Sequence, residues 1–170
     1  TKLIRYYWHR TRKYVHDKQL YKEISRNVST YADCFAIIKD LEIVADLYNS
    51  LSNPFNNDYF CNSVINKRLR NLRALNVTTF YPLIIAIVLS KSVNTDENVQ
   101  NILGALESMC FRSMTICGRN PNRIEKFLAD LALDVTNDKI SIVEAIQLIK
   151  GYTAKDDEVA LRLSQLKPNA

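Results

Sequence analysis

The sequence predicts an all-α fold, with residues 1–170 forming a single helical domain of about seven to nine helices. Glycine and proline number only 3 and 4, so few turns are encoded, whereas a fold of many short strands needs many. Hydrophobic residues make up 47% of the chain and recur at the spacing of amphipathic helices. A chain of this length and composition can bury a real core.

The first two predicted helices form a basic N-terminal part. Residues 2–15 place apolar side chains on one side of a helix and put Arg5, His9 and Arg10 on the other. A short helix follows around Gln19–Val28. In residues 1–30, Lys and Arg outnumber Asp and Glu by eight to two, so this part carries a strong positive charge.

Caps and apolar stripes predict the third and fourth helices. Thr30 followed by Asp33 resembles a capping box. The helix should end near Asn53, because the residue before a proline disfavours helical backbone. Residues 59–75 carry the next apolar stripe, which Asn76 ends. The apolar positions assigned to the third helix are Phe35, Ile38, Leu41, Ala45 and Tyr48.

A helix near residues 80–90 is predicted to be the buried centre of the domain. Val77, Thr78 and Thr79 are expected to cap it, and Pro82 stands in its first turn, where proline is tolerated. Its body, LIIAIVL, is apolar nearly all round, which is typical of a helix buried on all sides. No apolar run reaches the roughly 18–20 residues of a membrane span, so no membrane association is expected.

The remaining helices are predicted mainly from their caps. One begins at Asn94 with Glu97, runs to about Ile116 and ends at Cys117-Gly118. The last helix should end before Pro168. Three later helices are predicted to begin at Asn120 with Pro121, at Ser141 with Glu144, and at Thr153 with Asp156. Gly151 is expected to end the helix that begins at Ser141.

The segment FRSMTICGRNPNRIEKF, residues 111–127, raises the question of an active-site loop or a joint between helices. Helix caps explain its Gly, Asn and Pro residues without any function. Arg112 stands among apolar neighbours, so it needs a carboxylate or helix carbonyls as partners, and phosphate contact is the alternative. Cys117 has no histidine near it in sequence, so a nucleophilic role is not expected.

Motifs for catalysis and metal binding are missing from the sequence. The four cysteines have no C-x-x-C spacing and only two histidines accompany them, so neither a structural zinc nor another metal is expected. Buried free thiols in the cytoplasm are the default interpretation. Three isolated glycines cannot build a phosphate-binding loop. We therefore predict no catalytic residue and no cofactor in this chain.

The charge suggests a nucleic-acid partner. Net charge is +5 and the isoelectric point is about 9.0. The stretch NKRLRNLR adds Lys67, Arg68, Arg70 and Arg73 with no acidic residue nearby in sequence. Such basic faces can contact a nucleic-acid backbone, although a solvated helix face is the ordinary alternative. The aromatic residues of the first helix lie on its apolar side, so base stacking is not expected.

Three segments in order resemble the helical region of the GmrSD-type restriction endonucleases, domain-of-unknown-function family 262. They are LIRYYWHRTRKYV followed by LYKEI, then LNVTTFYPLIIAIVL, then LESMCFRSMTICGRNPNRIEKF, and together they span about residues 2–130. Many family members carry paired arginines before the Cys-Gly. Here Ser113 and Met114 stand in that interval and only Arg112 remains, which puts in doubt a function that needs the pair.

The resemblance implies a non-catalytic helical part of a modification-dependent restriction protein acting in phage defence. In that family an N-terminal ParB/sulfiredoxin-like domain is linked to nucleotide use, and many members have a C-terminal His-Asn-His nuclease. Neither motif is in this sequence, so the chain is interpreted as a fragment. A nucleotide and a divalent metal are expected only in such flanking domains, and whether the parent protein is an enzyme is left open.

The partners implied are those flanking domains and DNA. The first candidates for phosphate contact are Arg112, Arg119 and Arg123, and the second are Lys67, Arg70 and Arg73. One rival interpretation is a helical scaffold or protein-interaction module without a nucleic-acid role, which should expose an apolar patch. The other is an independent nucleic-acid-binding helical domain, which should show a contiguous basic face and an affinity that falls steeply with salt. An isolated enzyme is the third interpretation and would need a pocket of converging polar groups.

Overall fold

The computed structural model describes residues 2–55, 59–90 and 96–165, and this part of the chain folds into nine α-helices and one π-helical segment without a β-strand. The prediction of an all-α helical domain is confirmed. The helices are α1 (Lys2–Thr11), α2 (Asp17–Asn27), α3 (Tyr31–Ser52), α4 (Ser63–Ala74), α5 (Tyr81–Leu89), α6 (Asp96–Met109), α7 (Pro121–Thr136), α8 (Ile142–Tyr152) and α9 (Asp156–Gln165), and the π-helical segment is Cys110–Ile116.

Helix α5 is the centre of the main hydrophobic core. Every residue from Tyr81 to Ile87 is buried, and the helix packs against α7, α1, α3 and α6. The Tyr81 hydroxyl, a polar group in this core, donates a hydrogen bond to the Leu51 carbonyl at 2.8 Å. Burial raises the pKa of Tyr81 to about 12. The predicted central helix near residues 80–90 is therefore confirmed.

Helix α1 differs from its prediction in length and in its buried faces. It ends at Thr11 rather than near residue 15, and His9 and Arg10, assigned to the polar side, are 1% and 6% exposed. The cause is that α1 packs against α5, α7 and α3, so it is covered on several sides. His9 Nε2 lies 2.9 Å from the Val15 carbonyl, to which it donates, and Arg10 pairs with Asp40 of α3.

The expected apolar stripe of α3 is wrong over the first half of the helix. Phe35 and Ile38 are 55% and 53% exposed. The residues that enter the main core are Val44, Leu47 and Leu51 in the second half. Because α3 has 22 residues, its first half extends past the main core and packs only along a smaller apolar cluster formed by α1 and α2.

The predicted caps are confirmed where a polar side chain closes them. Thr30 with Asp33 and Ser141 with Glu144 form complete capping boxes. Asn120 accepts a hydrogen bond from the Asn122 N–H at the start of α7. These bonds satisfy backbone donors of the first helical turn that have no partner within the helix.

Other predicted boundaries are wrong. Phe80 precedes α5 without a side-chain cap, so the threonines before it do not cap the helix. Helix α8 continues through Gly151, and Thr153 closes it with an N–H bond to the Ile149 carbonyl instead of starting α9. By contrast, the helix predicted to run to about Ile116 does so, with α-helical turns to Met109 and π-helical turns from there to Ile116. Asn94 and Pro168 lie outside the described residues.

Truncation of the core of α5 should be costly. Ile84 is fully buried, so Ile84→Ala removes apolar contacts and leaves a cavity, and we expect the free energy of unfolding to fall by about 2–5 kcal/mol. Ile43, which is 59% exposed, provides the control, and Ile43→Ala should change it by no more than about 0.5 kcal/mol. Urea unfolding measures both, and equal effects would contradict the central burial of α5.

The buried His9 should make stability depend on pH. Burial lowers the pKa of His9 below its usual 6.5, so the unfolded chain takes up the proton first as the pH falls. The stabilising contribution is complete above about pH 6.5 and is lost as the pH drops from there toward the lower folded pKa. His9→Gln removes this titration, so urea midpoints should fall less between pH 7 and pH 5 than in the wild type. An identical fall in both proteins would rule the effect out.

Candidate nucleic-acid interface

The segment that raised the question of an active site contains the connection between α6 and α7. This connection, residues 110–120, is called the joint below and is built around a π-helical turn. The Cys117 N–H bonds to the Arg112 carbonyl at 3.0 Å, the five-residue spacing of a π-helix. Gly118 follows with φ +63°, a conformation that glycine adopts without strain. The predicted stop at Cys117-Gly118 is therefore confirmed.

Ser113 and Arg112 fasten this joint to the connection between α8 and α9. Ser113 is fully buried, and its Oγ accepts the N–H of Ala154 at 2.9 Å. Arg112 Nε donates to the Ala154 carbonyl at 2.9 Å, and its Nη2 pairs with Asp156. The expectation that Arg112 needs a carboxylate and carbonyl partners is confirmed.

Arg119 is also held by protein groups. Its Nε and Nη2 donate to the two carboxylate oxygens of Glu158 at 3.2 and 2.6 Å, and its Nη1 donates to the Tyr152 carbonyl. The hydrogen bond from Arg119 lowers the pKa of Glu158. Burial, followed by the nearby Glu158, raises the pKa of the Cys117 thiol, so this thiol is not activated as a nucleophile. Arg123 is exposed on the first turn of α7.

The second group of predicted contacts lies along α4. Lys67 is exposed and Arg70 is partly buried. Arg73 donates to the Ser52 carbonyl and lies 5.9 Å from the centre of the Phe55 ring. Lys67 and Arg73 are thus exposed and Arg70 is partly buried, and Arg73 is in contact with the end of α3.

Arg68, also on α4, lines a cleft that none of the sequence patterns predicted. Its Nη1 pairs with Glu107 of α6 at 3.0 Å, so this basic stretch does have an acidic neighbour in space. Its Nε is buried without a hydrogen-bond partner among the described residues. Gly104 of α6 makes room for it, because a Cβ atom there would lie 3.0 Å from the Arg68 guanidinium.

The cleft is open, has a volume of about 580 Å³ and runs between α4, α6, the joint and the connection from α8 to α9. Four cationic residues line it, with Asp156 as the carboxylate among the lining residues. Lys150 and Lys155 are exposed, and the Lys155 ammonium donates to the Lys150 carbonyl at 3.3 Å. The cations that line this cleft, called the basic cleft below, are Arg68, Arg112, Lys150 and Lys155.

Sequence reasoning named Arg112 but missed the other cations that share its cleft. Arg68 was noted only as part of the α4 stretch, Lys150 lies in the last turn of α8, and Lys155 lies in the connection before α9, next to acidic residues. The only local signal was Gly104, an isolated glycine inside a helical pattern, which often has a packing reason.

Two further features of the described residues concern metal binding and membrane spanning. Residues 2–55, 59–90 and 96–165 contain no group of three His, Cys, Asp or Glu side chains placed to hold a metal ion. Within the same ranges no helix combines the length and the apolar character needed to pass through a membrane. Cys34 and Cys61 are exposed, so burial of the thiols holds only for Cys110 and Cys117.

Comparison of the chain with protein-family models, curated proteins and solved structures gave no match. The basic cleft is therefore interpreted from its own geometry.

Loss of the Ser113 hydroxyl should loosen the joint. Ser113→Ala leaves the buried Ala154 N–H without an acceptor, so we expect the free energy of unfolding to fall by about 1–3 kcal/mol. Ser108 is exposed on α6, and Ser108→Ala is the control, with a change within about 0.5 kcal/mol. Thermal and urea unfolding measure both variants. A wild-type stability for Ser113→Ala would show that the bond does not fasten the joint.

Proposed function

We propose that this chain is a non-catalytic helical domain that binds the phosphates of DNA through the basic cleft. The observation that carries the proposal is the convergence of four cations from separate parts of the fold on one cleft. Duplex DNA presents one negative charge per roughly 1.7 Å of helix axis, so a cleft lined by several cations can contact adjacent phosphates.

The contacts and the exposure of the individual cations support phosphate as the ligand. Arg68 and Arg112 bring two guanidinium groups to the lining of the cleft, and a guanidinium can bind a phosphate through two parallel hydrogen bonds. Arg112 is held in place by the Ala154 carbonyl, so little side-chain freedom is lost on binding. Two carboxylates, Glu107 and Asp156, pair with these arginines, so the exposed Lys150 and Lys155 provide most of the charge available to a ligand.

The outer face of α4 extends this surface. Lys67 and Arg70 are on the same helix as Arg68 and are three residues apart, which places them on neighbouring turns. A DNA backbone that enters the basic cleft at Arg68 would continue along Lys67 and Arg70. The proposed path thus joins one member of the first predicted group, Arg112, to two of the second. Arg119 and Arg73 are not among the residues that line the basic cleft and are bound to protein carbonyls, so they are left as structural residues.

The wider setting rests on the resemblance to the GmrSD-type family alone. Under that proposal the domain belongs to a cytoplasmic phage-defence protein, and it positions flanking domains that carry the chemistry. Any nucleotide and divalent metal would bind in those domains.

A second candidate function is a protein-interaction module, favoured by an apolar strip on the first half of α3. Tyr31, Phe35 and Ile38 are 83%, 55% and 53% exposed. They follow one another at the four- and three-residue spacing of a single helix face. The rings of Tyr31 and Phe35 stack with centroids 6.3 Å apart. Exposed apolar strips of this kind are typical of surfaces that bind another protein.

DNA binding in a salt series separates the two functions. Arg112 and Arg119 hold the joint, so their alanine variants would mix folding with binding. Lys150→Ala with Lys155→Ala removes two exposed charges instead. We expect the log–log salt slope of duplex affinity to become shallower by about 1–2, since each phosphate contact contributes about 0.9.

The matched control is Lys39→Ala with Lys126→Ala, which removes the same charge from exposed positions on α3 and α7 and should leave the slope unchanged. Equal weakening in both double variants would mean attraction by net charge alone. No binding at low salt would refute the DNA proposal and favour the protein-interaction module.

A further inference from the structure

A second cleft of about 490 Å³ lies beside Trp8, the single tryptophan of the chain. It is formed where α1, α2 and α7 end. Arg12, Lys13, Asn137 and Lys139 line it together with Trp8. Helix α1 stops here because the backbone N–H groups of Arg12 and Lys13 both bond to the Trp8 carbonyl, at 2.9 and 3.1 Å. This ending places the two cations directly after the turn that carries the indole.

Trp8 contributes a polar donor that no protein group satisfies. The side chain is 2% exposed, and its indole Nε1 is buried without a hydrogen-bond partner among the described residues. Buried N–H groups in folded proteins nearly always have an acceptor, and an indole can only donate. The unpaired donor next to a cleft therefore points to a ligand that supplies an acceptor.

The charges around the cleft favour an anionic ligand. Lys13 pairs with Glu23 at 2.6 Å and Lys139 pairs with Asp134 at 3.4 Å, and neither carboxylate is among the residues that line the cleft. Arg12 is exposed and forms no ion pair with any described residue, and the nearby carboxylate is Asp33, whose pKa is lowered first by hydrogen bonds from Thr30 and to a smaller extent by the charge of Arg12. Its guanidinium is therefore available for two parallel hydrogen bonds to an oxyanion.

We propose that this cleft binds the phosphate group of a small molecule. The indole Nε1 of Trp8 and the guanidinium of Arg12 donate to phosphate oxygens, and Lys13 and Lys139 add positive field. A small ligand fits better than a nucleic acid, because two of the three cations that line the cleft, Lys13 and Lys139, are paired with carboxylates and one guanidinium remains for a single anion. The volume lies within the range of small-molecule sites. The inference is independent of the proposed DNA function.

The single tryptophan allows a direct test, because all indole emission of the chain comes from this cleft. The purified chain is titrated with inorganic phosphate and, in parallel, with sodium chloride at matched ionic strength. We expect a saturable change in emission with phosphate that chloride does not produce. Glycerol 3-phosphate is the second ligand, and tighter binding than that of inorganic phosphate would identify an esterified phosphate as the natural group.

Two variants distinguish a built site from general attraction. Arg12→Gln should weaken phosphate binding at least tenfold, while Lys150→Gln, which removes the same charge from the basic cleft, should leave it unchanged. Trp8→Phe keeps an aromatic ring but removes the donor, and calorimetry should show a similar loss. Because Trp8 is in a core, Arg12→Gln is the decisive variant if Trp8→Phe does not fold.

Three results would overturn the proposal: no saturable change with either phosphate, the same change with chloride, or wild-type binding by Arg12→Gln. Failure of this site leaves the DNA proposal intact, since that proposal depends on Lys150 and Lys155. Absence of duplex binding at low salt would likewise refute the DNA proposal and leave this one intact.

Discussion

Helix α5 is buried on all sides, and the positions of the helices around it follow from this burial. A helix with apolar side chains all round cannot lie at the surface, so α1, α3, α6 and α7 must enclose it. Each fully buried Leu or Ile contributes about 1.5–3 kcal/mol through removal of its surface from water. Because α1 is one of the helices that enclose α5, its His9 and Arg10 side chains are buried. Their polar atoms are then satisfied by Val15 and Asp40.

Arginines join elements that the hydrophobic core does not fix. Arg5 links α1 to Glu125 of α7 at 2.9 Å, and Arg119 links the joint after α6 to Glu158 of α9. A buried ion pair adds little net stability over an apolar pair, yet breaking one by removing a partner is costly. A basic composition therefore does not translate directly into a basic surface. Several of the arginines are instead paired with carboxylates of other helices, among them Arg5, Arg10, Arg68, Arg112 and Arg119.

The two clefts differ in what they offer a ligand. The basic cleft is open and lined by exposed lysines and anchored arginines, which suits an extended polyanion that makes several weak contacts. The cleft beside Trp8 combines a nearly covered donor with one unpaired guanidinium, which suits a single compact anion. The decisive feature of the first is the convergence of four cations, and that of the second is the Trp8 Nε1 donor, which has no acceptor among the described residues.

The helical class, the central helix and the caps formed by Thr30, Asn120 and Ser141 could be predicted from the sequence, because these depend on neighbours within a few residues. The need of Arg112 for protein partners could be predicted as well. The buried faces of the helices could not, since α1 is covered by three other helices and half of α3 reaches past the core. The residues that form the two clefts could not be predicted from the sequence either. Arg68 and Lys150 are far apart along the chain and meet only because α4 and α8 both pack against α6, and no local pattern encodes that meeting.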